Sequence, residues 1–259
     1  LVLVNGYLDA MQQTAEILTN NSQSVSLQED QTLQSVAATA MTGTSVESVA
    51  GILASLVVSA AQHVARLDEK TWVVDTELVR MAKKGTGSIS DTTIVKGIII
   101  DKNLDLEKLP RKLDGGKAVV FSCPLEIEKT SYDAEIEIST TEQWSSFMEA
   151  EEEILNHKAK QIINSGAKIV FCAESIDARI MHKLADNGIC ALGSMEKAGA
   201  EDVALATGAL LIDHVDSIDE ETLGEFETML VETIDSSEGL RDRIYLHVGE
   251  SSGLITIDV

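Results

Sequence analysis

The chain has 259 residues, 44% of them hydrophobic, which is enough for one large core or two ordinary ones. Its 43 acidic and 20 basic side chains give a formal net charge of −23. Such a surface repels a nucleic-acid backbone or an anionic membrane, so neither is expected as a partner.

The opening LVLVNGYLDAM has no initiator Met and no basic n-region, and it reads as the interior of a longer protein. Helical spacing predicts helices over 7–18, 27–41 and 45–66, the last two separated by TGTS at 42–45. The apolar run 49–65 is short for a membrane span. With Ser48, Ser55, Ser59, Gln62 and Arg66 on one face, it is expected to be an amphipathic helix packed on a core. A short strand is predicted at 71–75, and the glycine-punctuated KKGTGSISD at 83–91 is the best linker candidate.

Beyond it the pattern changes. Strands are predicted at 93–102, 117–123, 134–139, 168–172, 188–193, 209–215, 227–234, 243–249 and 254–259, with helices at 141–165, 175–187 and 195–206. Unbroken apolar strands alternating with helices imply a partly parallel α/β core. The strands of 226–259 imply an antiparallel second sheet. The fold class expected is therefore α/β, with a small mainly helical part ahead of it.

No self-contained active site is legible. The three cysteines are widely spaced without a CxxC pair, and Cys123 and Cys172 read as buried thiols at strand ends, which fits a reducing cytoplasm. GTGS at 85–88 and DGGK at 114–117 are glycine-rich but are not Walker loops. The five histidines show no metal-ligand spacing, and no GxSxG elbow is present. No catalytic residue and no metal site is expected.

One helix is unusual. In TTEQWSSFMEAEEEILNHK, 140–158, the scarce aromatics Trp144 and Phe147 share a broad face with Met148, Ile154 and Leu155 amid a run of acids. Thr140 is a candidate cap, with Gln143 three residues on. Two readings stand: a face buried on its own domain, or an exposed apolar patch kept soluble by the acids, hence a protein-binding edge. The stripe Ile176, Ile180, Met181 and Leu184 is a possible second binding face, or core.

Taken in order, these segments resemble a group II chaperonin subunit, the archaeal thermosome family related to the eukaryotic cytosolic ring chaperonin. The resemblance is carried by VNGYLDA at 4–10, AATAMTGTSVES at 37–48, SISDTTIVKGIIIDK at 88–102 and CPLEIEKTSYDAEIEIS at 123–139. SGAKIVFCAESID at 165–177, GICAL at 188–192, ATGALLI at 206–212, LGEFE at 223–227 and LITIDV at the end continue it. It implies the end of an equatorial domain over 1–24, a first intermediate segment that is mainly helical α+β over 25–95, and an apical domain of mixed sheets over 96–259 with a helical protrusion at about 137–163.

The resemblance also implies function. The intact parent would use ATP and Mg, whose loops and catalytic aspartate lie outside this chain, so none is expected to bind tightly here. Trp144, Phe147, Met148, Ile154 and Leu155 would meet unfolded or partly folded clients or a neighbouring protrusion in a double ring of sister subunits. Thr42, Gly43 and Thr44 match the nucleotide-sensing loop, but Thr44 stands where the family usually has lysine. The family's basic cluster is mostly gone from ALGSMEKAGAED at 191–202. The alternatives are a passive apical-intermediate module that binds unfolded protein without ATP, and an ordinary small-ligand α/β enzyme, which would need a pocket holding a strongly perturbed titratable group.

Overall fold

Two units are defined by contacts, Leu1–Val58 and Ser59–Val259. The computed structural model describes residues 2–69, 71–85, 87–127, 140–236 and 239–259, so the strand predicted at 134–139 lies outside the described residues.

In the first unit, α1 (Val2–Asn21) is longer than the predicted 7–18, because nothing in VLVNGY breaks a helix and Gly6 faces open space. Residues 3–21 are all exposed, including Leu3, Tyr7, Met11 and Leu18. Helix α2 (Asp30–Met41) follows a turn at 27–28, which the prediction had taken as helix. Gly43, at φ +78°, supplies the left-handed residue that ends it. A 3₁₀ turn, Glu47–Val49, leads into α3 (Ala50–Val64), which runs across the boundary between the units.

Residues 47–64 are apolar enough to pass for a membrane span by length and composition. Only 15 of them are α-helix, about 22 Å against a hydrocarbon core of about 30 Å. Within the second unit the last turn of α3 packs Ala60 and Val64 on Leu78 and Ile255. Arg66, expected in this helix, belongs instead to β1 (Ala65–Asp68), which forms an antiparallel hairpin with β2 (Thr71–Val74).

Strands β3 (Val79–Ala82) and β4 (Thr93–Val95) flank the predicted linker 83–91. They belong to one three-stranded sheet, with the last strand, β12 (Ile255–Asp258), between them. The single strand predicted at 93–102 is two: after Lys96 the chain leaves that sheet and continues as β5 (Gly97–Asp101) in a seven-stranded sheet. Gly97 makes the break possible. Its φ is +143°, and a Cβ there would lie 2.0 Å from the Leu246 carbonyl oxygen. The Lys96 carbonyl accepts the Val248 and Gly249 amides at 2.9 and 3.2 Å.

The remaining elements are β6 (Lys112–Phe121), α4 (Thr141–Asn164), β7 (Ala167–Cys172), α5 (Ala178–Asp186), β8 (Cys190–Leu192), α6 (Lys197–Thr207), β9 (Leu211–Ile212), β10 (Gly224–Ser236), β11 (Gly239–His247) and β12 (Ile255–Asp258). The large sheet runs β5-β11-β10-β6-β7-β8, with β9 also on β6. Its β5, β11, β10 and β6 pair antiparallel, whereas β7 and β9 pair parallel with β6, and β8 with β7. Both parallel and antiparallel parts were expected, but they form one sheet that turns over at β6.

The parallel half is covered on both faces, which is why its strands are unbroken apolar runs. Successive side chains of a strand alternate. Ala118, Val120, Ile169 and Phe171 pack with α6 through Ala200 and Val203. Val119, Phe121, Val170 and Cys172 pack with α4 and α5 through Leu155, Ile162, Ile180 and Leu184. Burial raises the thiols of Cys172 and Cys190 to about 12, as expected of structural cysteines, while Cys123 is half-buried.

Candidate binding surface on helix α4

Thr140 starts α4 as its sequence suggested: its hydroxyl oxygen accepts the Gln143 amide at 3.2 Å. The buried positions are Leu155, Ala159 and Ile162, spaced to form one stripe against the sheet. The preceding fourteen residues, about 21 Å of helix, bury no side chain. Charged contacts tie this end to α5: Arg179 reaches Glu151 at 4.0 Å, and Lys183 reaches Glu152 at 3.9 Å and hydrogen-bonds Asn156. Asp177 caps α5 by accepting the Arg179 amide, and the Arg179 guanidinium beside it holds its carboxyl below the usual range.

The five α4 residues singled out in the sequence therefore separate. Trp144 is 57% exposed, Ile154 48% and Met148 40%, and Phe147 is half-buried. Leu155 is completely buried in the core and offers nothing to a partner, which corrects that expectation. One step along the helix turns the chain by about 100°, from Ile154 on the outside to Leu155 on the sheet. The second face is also corrected. Ile180, Met181 and Leu184 are buried core, and Ile176 is half-buried beside Gly193, so this stripe faces inward.

The loop of Thr42, Gly43 and Thr44 is exposed. Its hydroxyls are spent on its own backbone: Thr42 donates to Ala38 O at 3.2 Å and Thr44 to Met41 O at 2.6 Å. The Gly43 amide donates to the Glu47 carboxylate at 3.0 Å. A phosphate at this amide would have to displace that carboxylate.

Two features escaped the sequence. Toward its base, α4 forms one wall of a groove of about 440 Å³, with the segment 213–216 opposite. Ala150, Ile154 and Val215 make it apolar, and Glu153, His157, Lys158, Asp213, His214 and Asp216 rim it. His157 Nε2 lies 2.9 Å from Asp216 Oδ1, and His214 Nδ1 lies 3.5 Å from Asp216 Oδ2. The His157 hydrogen bond lowers the Asp216 carboxyl below its usual value. The α4 side has a signal in the sequence, the spacing Ala150–Ile154–His157, whereas the facing loop has none. The second is a buried cluster on Arg243, which holds Asp101, Asp258 and the Lys83 carbonyl. No group of three His, Cys, Asp or Glu is placed to hold a metal among the described residues.

This end of the capped helix carries the exposed Trp144 and the half-buried Phe147 above an α/β core in which, among the described residues, every buried side-chain polar atom is paired. The model of the TCP-1/cpn60 chaperonin family matches residues 1–245. A thermosome subunit of Methanopyrus kandleri is 37% identical over 228 residues, 88% of this chain and 42% of that protein. One of Methanocaldococcus jannaschii is 34% identical over 224 residues, 86% of this chain and 41% of that protein. The open-state monomer of a group II chaperonin from Methanococcoides burtonii superposes with a TM-score of 0.71 at 25% identity, covering 98% of this chain and 56% of that one. The chain thus spans about two fifths of the length of these curated relatives. It belongs to the TCP-1/cpn60 chaperonin family, within its group II branch.

Proposed function

We propose that this chain is the intermediate and apical portion of an ATP-dependent chaperonin subunit of the cytoplasm, working with sister subunits in a ring. Its exposed end of α4 captures unfolded protein and meets neighbouring copies when the ring closes. The observation that carries this reading is Trp144, 57% exposed on a helix end where no side chain is fully buried. Domain limits at 24/25 and 95/96 go with it. The passage of the chain between sheets at Lys96–Gly97 supports the second limit, and β12 would be the strand that returns to the intermediate part. ATP and Mg would act through residues outside this chain, and no step of nucleotide chemistry is assigned to the 42–44 loop.

Magnitudes favour a ring over a lone binder. Burying a fully exposed apolar side chain gains roughly 1.5–3 kcal/mol, and Trp144, Phe147 and Met148, already partly covered, each gain less than that. Association costs about 4–15 kcal/mol, so a single copy holds a client weakly. Several copies at high effective concentration hold it well. The test is suppression of aggregation of a chemically unfolded protein by this chain and by a Trp144→Ser/Phe147→Ser variant. Suppression lost in the variant supports capture at the α4 end. Suppression that survives in full refutes it.

A further inference from the structure

We infer that the groove between the base of α4 and residues 213–216 is a docking site for basic, apolar polypeptide segments, separate from the aromatic end of the helix. This rests on the reading above of α4 as a recognition surface and adds a second site with its own chemistry. The groove's size, about 440 Å³, lies within the range of specific pockets and would hold one or two apolar side chains. Its floor is Ala150, Ile154 and the buried Val215.

The charges decide the occupant. Asp216 is engaged by His157 and His214, and Lys158 donates to the Glu126 carbonyl at 2.9 Å. Glu153 and Asp213 have no ion pair or side-chain hydrogen bond among the described residues. Two uncommitted carboxylates beside an apolar floor call for an ammonium or guanidinium next to a leucine-like side chain. The chain's charge of −23 draws basic segments in and repels acidic ones, including a second copy of the acid-rich α4 itself.

The probes are two short fluorescein-labelled peptides with the same leucine pattern, one with lysine and the other with glutamate at the polar positions. Anisotropy titrations use the chain itself, a Glu153→Lys/Asp213→Lys variant and the Trp144→Ser/Phe147→Ser variant, at low and high salt. The lysine peptide is expected to bind the unmodified chain more tightly than the glutamate peptide. The charge-reversed variant should weaken it on the order of tenfold and narrow the preference, since the chain as a whole stays acidic. Loss of the aromatics should change neither. Equal binding of the two peptides, no binding of either, or no response to charge reversal overturns the groove while leaving capture at the α4 end untouched. Lysine-peptide binding lost only with the aromatics assigns recognition to that end alone and also overturns the groove.

Discussion

Replacing Arg243 with leucine tests the buried cluster that joins the two sheets. The Arg243 side chain is 1% exposed and makes four hydrogen bonds: to Asp101 at 2.6 and 3.1 Å, to Asp258 at 2.8 Å and to the Lys83 carbonyl at 2.6 Å. Its two acids differ. Asp101 is 45% exposed and recovers water when the guanidinium leaves, so it adds little to the cost. Asp258 is 7% exposed and among the described residues keeps only the Tyr245 hydroxyl at 3.2 Å as a side-chain partner, so its charge is stranded. Removing one partner of a buried pair costs about 3–5 kcal/mol, and with Asp101 re-solvated we expect about 3 kcal/mol. Urea unfolding followed by circular dichroism measures it, with Arg80→Leu as control. That guanidinium is 44% exposed in its pair with Asp202, and its loss is expected to cost about 1 kcal/mol or less. Adding Asp258→Asn to Arg243→Leu removes the stranded charge and should restore about 1 kcal/mol or more. If Arg243→Leu costs no more than the control, or the second change restores nothing, the cluster does not hold the sheets as argued.

Three further outcomes follow from the same coordinates. Leu155→Ala should lose about 2–4 kcal/mol in unfolding experiments, while its neighbour Ile154→Ala, 48% exposed, should lose under about 1 kcal/mol. Gly97→Ala should cost more than about 3 kcal/mol, since the new Cβ meets the backbone oxygen of Leu246 at 2.0 Å; a variant as stable as the parent would refute the sheet break. His157→Ala should raise the Asp216 carboxyl toward its ordinary value in an NMR titration. Because the folded carboxyl is lowered, its contribution is present above the ordinary carboxylate pKa and disappears as the pH falls through the lowered one.

Much of the fold was legible because strand and helix periodicities are local. KAVVF and KIVFC announce strands covered on both faces, the acid-rich helix announces its cap at Thr140, and the stripe Ile180–Leu184 is as readable as core as it is as a binding face. The family, too, lies in the order of short segments along the chain. The break at Lys96–Gly97 and the brevity of β9 were not legible, since each is set by a partner distant in sequence, Leu246 and Val120, while Arg66 is drawn into a strand by local hairpin pairing with Val73 that its helical spacing masked.

The sequence by itself determined that this is an acidic, partly parallel α/β chain with a capped helix carrying scarce aromatics. Only the tertiary structure decided which apolar residues of that helix are free. Ile154 and Leu155 are adjacent and chemically alike, and the rotation of α4 against the sheet exposes one and buries the other. The same rotation sets Ala150, Glu153 and His157 opposite 213–216 and so builds the groove. A one-dimensional pattern gives the width of an apolar face, but packing against a particular sheet fixes its angle.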